Sequence, residues 1–414
     1  MTSPSPLRLL LGAFGDPGHA FPMMALGARL AARGHEVWLQ TWSRWQDDVE
    51  AAGMRFAAAP EYQVFPQLGQ EPLKPYAAVA RATVDTVPLV REIRPHATVA
   101  DILTLAPALA SERCGVPVAT LIPHVDPRGE PGWPPYSSGA RPAGLLGRAL
   151  WAGPNALVGW SLDRGRNELN ETRARVGLPP QERRHGGISE RLVLVGSVPQ
   201  LEYPRRRALP HTHLVGPFVW EPPSEPVELP PGDDPLVVVA PSTSQDPDGL
   251  LLRAALRGLA DAPVRILAAQ NRTSAAAAQR LPALEVPANA RLVPWMSYAQ
   301  VMPHADVVLC HAGHGTLLRA LAAGKPVVAI PAAGDMYENA ARLAWSGAGI
   351  RLPQRLAGGR VLRAAVLRAI GDPRYRERAA EIAAWVAAGD GAQRAAPLVE
   401  ALAGSQTSIR AAIP

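Results

Sequence analysis

The stretch Ala305 to Asn339, ADVVLCHAGHGTLLRALAAGKPVVAIPAAGDMYEN, constrains the fold more than any other part of the chain. Val307, Val308, Leu309 and Cys310 form a continuous apolar run, the pattern of a strand buried on both faces of a parallel sheet. His311-Ala312-Gly313-His314-Gly315-Thr316 follows. A helical stretch from Leu317 to Ala323 comes next, ended by Gly324 in a left-handed cap, and then a second strand from Pro326 to Ile330. Strand, glycine turn, helix and strand in so short a span make a βαβ unit. The helix N-terminus of such a unit turns free backbone N–H groups toward the carboxyl edge of the sheet, a place that suits phosphate. Gly313 and Gly315 have no Cβ, so an anion can approach the main chain, while Thr316 offers a hydroxyl and His311 a ring donor. By itself the glycine pair fits an ordinary strand-to-helix turn equally well.

Its neighbours narrow the choice. Val293-Pro294-Trp295-Met296-Ser297-Tyr298 sets a tryptophan just after a predicted strand, and Gly334-Asp335-Met336-Tyr337-Glu338-Asn339 places polar groups after the following one. All three clusters fall on one sheet edge. The arrangement resembles the donor-binding box of the two-Rossmann-domain (GT-B) glycosyltransferases that take nucleotide sugars and act on small molecules. The resemblance implies that Trp295 stacks on the base, that His311, Gly313 and Thr316 hold the diphosphate, and that Asp335 and Asn339 bind sugar hydroxyls. It also brings Met296, His314, Gly315 and Met336 into the donor site. Three residues depart from the family pattern. Ser297-Tyr298 replaces Pro-Gln, Arg319 stands where many members have a ribose-binding Glu, and Met336 stands where Gln follows the Asp. Both of the last two lean the expectation toward a thymidine diphosphate donor and a deoxysugar, with uridine diphosphate as the other choice.

A chain of 414 residues is too long for one core and fits two domains. Hydrophobic content of 47% with 19% charged residues is that of a globular protein, and no apolar run is long enough to span a bilayer. The N-terminus has no secretory pattern, so the expected location is cytoplasmic. The net charge of +6 raises the question of nucleic acid, yet all but two of the 42 basic residues are arginines scattered through the sequence. The densest run, Arg205-Arg206-Arg207, is short and has no interleaved aromatics, so no nucleic-acid partner is expected. Cys114 and Cys310 read as small buried hydrophobes, neither paired nor catalytic.

From the start, Leu7 to Leu11 is a strand candidate. A glycine-rich loop containing Gly15 and Gly18 follows, then a helix from Met23 to Arg33 and a strand from Glu36 to Thr41. The loop lacks the Gly-x-Gly-x-x-Gly spacing of a dinucleotide site, and no acid ends the second strand. Relatives carry Gly-His-x-x-Pro here with the histidine as catalytic base, and His19 matches it. A strand from Ala97 to Ala100 ends in Asp101, which by the same resemblance accepts a hydrogen bond from that histidine. On sequence alone Asp101 is as readily a helix N-cap. The irregular, aromatic-bearing segments Tyr62 to Pro75 and Pro123 to Pro142 are candidates for acceptor loops, with Phe21, Trp133 and Tyr136 as candidate contacts.

The expected architecture is therefore α/β, two Rossmann-like parallel-sheet domains facing a central cleft: an acceptor domain over 1–214, a proline-rich linker over 215–235 and a donor domain over 236–375. Helices over 376–403 cross back to the first domain, and 404–414 form a tail. The loop Pro241 to Gln245, with Ser242 and Thr243, is a further diphosphate contact by resemblance. Asp246-Pro247-Asp248 reads better as helix-capping acids than as a metal site, and His311 with His314 has no third ligand for zinc. No cofactor or metal is expected, only the nucleotide sugar as co-substrate and a small hydrophobic acceptor, with a homodimer left open. The function implied is an inverting, metal-independent glycosyltransferase. A sugar-nucleotide epimerase on the same fold and a non-catalytic nucleotide-binding or activator relative are the alternatives, with a lipid-acceptor transferase at a membrane surface behind them.

Overall fold

The structure, a computed structural model, describes residues 6–60, 75–136, 138–140, 150–242, 249–270 and 284–411. The first half contributes Arg8–Gly12 (β1), Glu36–Thr41 (β2), Arg55–Ala58 (β3), Ala97–Asp101 (β4), Val118–Ile122 (β5), Val193–Val195 (β6) and Thr212–Leu214 (β7). The second contributes Leu236–Ala240 (β8), Arg265–Ala269 (β9), Ala290–Val293 (β10), Val307–Cys310 (β11), Val327–Ala329 (β12) and Gly349–Arg351 (β13). They form two parallel sheets, ordered β3-β2-β1-β4-β5-β6-β7 and β10-β9-β8-β11-β12-β13.

Both sheets reverse direction once, between β1 and β4 in the first and between β8 and β11 in the second. At such a reversal the two following loops diverge to opposite faces and leave a crevice beyond the carboxyl ends of the strands. Register fixes what lies there. Gly12 pairs with Ala100, so the loop toward His19 leaves the sheet beside Asp101. Cys310 pairs with Ala240, so His311 emerges beside the loop that holds Ser242. A Cβ on Gly12 would stand 2.5 Å from Cγ of Pro107, so glycine lets the Leu105–Arg113 helix settle against the end of β1.

Helices cover both faces, and the strands are correspondingly apolar; every residue of β8 is buried. One helix departs from the sequence expectation. It runs Pro17–Ala32 instead of starting near Met23, because Pro17 takes the first helical position, where its missing N–H costs nothing. His19 therefore sits in a first helical turn, not in a free loop.

No helix or strand forms between Leu214 and Leu236. Val215 and Phe218 of this segment pack into the first core, while Val227 and Leu229 pack against the second. The C-terminal helix Gly391–Ala411 then returns to the first half. Its Ala392, Ala395, Ala396, Val399 and Ala403 join Met23, Met24 and Leu26 in one cluster, a small-residue stripe at helical spacing that allows close approach. Glu400 on this helix accepts hydrogen bonds from Arg33 at 2.5 Å and from His35 at 2.8 Å. Among the described residues no helix is long and apolar enough to cross a membrane.

Candidate active site

At the first reversal His19 Nδ1 lies 2.8 Å from Oδ1 of Asp101. A carboxylate only accepts, so Nδ1 carries the proton and Nε2 is left with its lone pair. The Asp101 side chain is fully buried and that of His19 is 17% exposed, so the pair is rigid at one end and open at the other. Oδ2 of Asp101 also accepts from the Thr104 hydroxyl at 3.3 Å. Burial pulls the His19 pKa down, but the hydrogen bond and charge of Asp101, with smaller contributions from Asp16 and Asp335, carry it above its ordinary value. The result is an oriented base of raised strength.

At the second reversal, His311 Nδ1 bonds the carbonyl of Ala240 at 3.2 Å, which holds the ring over the turn. A Cβ on Gly313 would stand 2.5 Å from His311 Nε2, so any side chain here would push the imidazole out of its place. Ala312 takes a positive φ of 67°, strained for a residue with a Cβ, and its carbonyl accepts from Asn339 at 3.1 Å. The helix His314–Ala322 starts immediately, with Gly315 exposed and Thr316 half-buried at its N-terminus. His314 Nε2 donates to the carbonyl of Gly196 in the first half at 2.9 Å, and burial takes its pKa down to about 4, so it stays neutral. The Asn339 side chain also lies against the His314 ring, and among the described residues neither His314 Nδ1 nor Asn339 Oδ1 has a partner within hydrogen-bond geometry. Asp335 lies next to them, bonded to Asn339 at 3.2 Å. After burial in each case, its charge contributes at His19, His124, Tyr136 and His314, which places it across the cleft from the His19–Asp101 pair.

Comparison with known proteins assigns this geometry to a family. The erythromycin biosynthesis protein CIII-like C-terminal domain matches residues 266–402, and the glycosyltransferase family 28 N-terminal domain matches residues 9–120. The 4'-demethylrebeccamycin synthase of Lentzea aerocolonigenes is 30% identical over 432 residues, spanning 95% of this chain and 99% of that protein. The chain is a GT-B glycosyltransferase. The O-mycaminosyltylonolide 6-deoxyallosyltransferase of Streptomyces fradiae is 29% identical over 443 residues, spanning 97% of this chain and 99% of its own. A solved structure of a spinosyn rhamnosyltransferase complexed with thymidine diphosphate shares the fold, with a TM-score of 0.64 at 22% identity over 96% of this chain and 100% of that one.

Several sequence candidates in the transferase have side chains packed against the protein. Met296 and Met336 are buried in the second core, where their side chains fill space between β-sheet and helices. Phe21 is buried too, its ring packed on Trp45 at 5.2 Å and on Trp220 at 4.9 Å. Trp133 stacks on Tyr203 at 4.9 Å and meets Trp345 edge-on at 6.2 Å, an aromatic cluster that joins the two halves. Tyr136 stands beside His124, with its hydroxyl 3.4 Å from that ring's Nδ1. Trp295 is half-buried just past β10, and Ser242 is buried just past β8. Thr243, the acids Asp246 and Asp248, and the Tyr62 to Lys74 loop fall outside the described residues. Among those described, no group of three His, Cys, Asp or Glu side chains is arranged for a metal ion. Cys310 is buried, its thiol pushed up to about 12, and Cys114 is likewise unpaired.

Sequence reasoning missed two residues. His124 follows β5 as His19 follows β1, and its place at a strand's carboxyl end was the available signal. Glu221 gave none. It reaches from the linker to accept from Ser297 Oγ at 2.6 Å, Tyr298 N at 3.2 Å and Ala299 N at 3.3 Å. It also pairs with Arg319, whose guanidinium bonds the Trp220 carbonyl at 2.5 Å as well. The position that lacks a carboxylate in sequence thus has one delivered to it in space.

Proposed function

We propose that the enzyme transfers a sugar, leaning to a deoxysugar, from a nucleoside diphosphate to a hydroxyl of a small hydrophobic natural product, with inversion and without a metal. The observation that carries this reading is the facing of two reversal points. One offers an oriented imidazole base, the other a glycine turn at a helix N-terminus. His19 Nε2 takes the proton of the acceptor hydroxyl while that oxygen bonds to the anomeric carbon. The bond from that carbon to the β-phosphate oxygen breaks, and the nucleoside diphosphate leaves with the electron pair from the opposite face. Asp101 stabilises the imidazolium so formed and holds its tautomer. The growing phosphate charge meets the amides from Gly313 to Thr316 and the Ser242 hydroxyl, set in place before reaction; His311, whose Nδ1 is spent on the Ala240 carbonyl, donates to it from Nε2 only as the imidazolium. Asp335, half-buried and fixed by Asn339, suits hydroxyls of the donor sugar.

Thymidine diphosphate is preferred over uridine diphosphate in this reading. Arg319 only donates, and the Glu221 carboxylate beside it is occupied by three other donors, so no acceptor is left over for a ribose hydroxyl there. The deoxysugar transferase among the relatives and the neighbour holding thymidine diphosphate point the same way. The test is calorimetry with both nucleotides, together with product assays run in excess EDTA. Nucleotide binding and product formation that survives the chelator are expected. Turnover lost on chelation and restored by Mg²⁺ would sink the metal-free mechanism, and conversion of the donor alone to an epimer would replace transfer by isomerisation.

A further inference from the structure

His124 is a second imidazole in the cleft, and the mechanism above does not use it. It follows β5, the neighbour of β4, in whose register Leu121 pairs with Asp101. Its Nδ1 lies 2.8 Å from the carbonyl of Val125. A carbonyl only accepts, so Nδ1 carries the proton and Nε2 holds a lone pair. Burial lowers the pKa of this ring, against the Val125 carbonyl and the charge of Asp335, so the neutral form dominates near neutrality. Tyr136 approaches Nδ1, and among the described residues Nε2 has no partner. The ring centroids of His124 and His19 are 6.3 Å apart at an interplanar angle of 79°. Both rings spend Nδ1 on the protein and keep Nε2 as a bare acceptor. His124 is half-buried and its Nε2 is not among the fully buried unpartnered atoms, so a ligand can reach that nitrogen.

We propose that His124 contacts the acceptor substrate, its Nε2 taking a hydrogen bond from a second hydroxyl or N–H adjacent to the hydroxyl that His19 deprotonates. The inference rests on the transferase reading above and adds a substrate class: acceptors with two neighbouring hydrogen-bond donors, such as a catechol or a vicinal diol. Two oxygens on adjacent carbons, each at the usual length of about 2.8 Å from a ring nitrogen, fit the span between two edge-to-face imidazoles whose centroids are 6.3 Å apart. An acceptor with one hydroxyl leaves the His124 lone pair desolvated and unpaired, and sites built around a substrate hydroxyl discriminate strongly for that reason.

Umbelliferone, with one phenolic hydroxyl, and esculetin, which adds a second beside it, are the probes, with thymidine diphosphate glucose as donor. Transfer to umbelliferone by the wild type tests the parent reading. The ratio of kcat/KM for esculetin to that for umbelliferone tests the inference. That ratio is expected to be roughly tenfold or more in the wild type, carried by KM. His124→Phe, which keeps a ring but loses the acceptor, brings it close to one whatever the common loss in rate. His124→Gln, whose amide oxygen accepts, restores part of it. Thymidine diphosphate affinity in both variants reports that the fold is intact. A ratio unmoved by His124→Phe, or equal for both probes in the wild type, overturns the proposal.

Discussion

The two reversal points do opposite kinds of work with opposite materials. At the first, the chemistry sits on side chains: His19, Asp101 and His124 at or just past the carboxyl ends of β1, β4 and β5, each held by a hydrogen bond to a fixed partner. At the second, it sits on the main chain, with Ala312 at positive φ, Gly313 emptied to admit the His311 ring and amides aimed by a helix start. Proton transfer needs a titratable group of tuned strength, whereas holding a diphosphate needs fixed dipoles that do not titrate. The histidines follow that division. The carboxylate beside His19 lifts its pKa, while burial keeps His314 neutral at about 4.

If the division is right, the largest effects come from the first point and appear in turnover alone. His19→Ala is expected to lower kcat on the order of a hundredfold or more, with nucleotide affinity nearly unchanged by calorimetry. Near-wild-type turnover would remove His19 from the mechanism. Asp101→Asn is expected to cost on the order of tenfold or more and to move a pH limb. His19 works only when unprotonated, so activity rises with pH through its pKa, which in the wild type lies above 6.5. Removing Asp101 deletes the main raising influence and leaves burial, so the limb should move to lower pH. A limb that stays put would mean that another group sets it.

The second point should respond in binding. Gly313→Ala drives a Cβ to 2.5 Å from the His311 ring, and overpacking of this kind costs roughly 1–3 kcal/mol. The ring can swing away into the site, so much of that cost should fall on the donor: nucleotide dissociation constants rise roughly tenfold while the melting temperature changes little. Loss of stability with unchanged affinity would show that the turn is structural only.

The same contrast explains what the sequence disclosed. Alternation of apolar runs with glycine turns and helices was enough for two parallel sheets, because strands buried on both faces have few other readings. His19 and Asp101 were legible through their motif and their strand ends. The burial of the Phe21, Met296 and Met336 side chains was not legible, because an apolar residue near a motif has the same pattern whether it lines a cleft or fills a core. Glu221 was invisible for another reason. It is nearly a hundred residues from Arg319 in the chain, and a proline-rich linker carries no periodicity to say which of its acids turns inward.

That pair gives the smallest and sharpest test, because it decides whether the donor site reads the ribose. Arg319→Glu alone would set two carboxylates against each other in a buried place, and breaking such a pair costs several kcal/mol, so a drop in melting temperature is expected before any change of preference. Adding Glu221→Gln relieves the repulsion and leaves one free acceptor. Met336→Gln is not a comparable probe, since it would bury an amide in the second core. In the wild type, thymidine diphosphate should bind at least as tightly as uridine diphosphate. In the double variant the balance should move several-fold toward uridine diphosphate, because one hydrogen bond to a hydroxyl contributes roughly 1 kcal/mol net. Competition binding with both nucleotides measures the shift. A wild type that strongly prefers uridine diphosphate, and a double variant with the same preference, would place the ribose reader elsewhere in the site and leave Glu221 and Arg319 as a clasp between linker and donor domain.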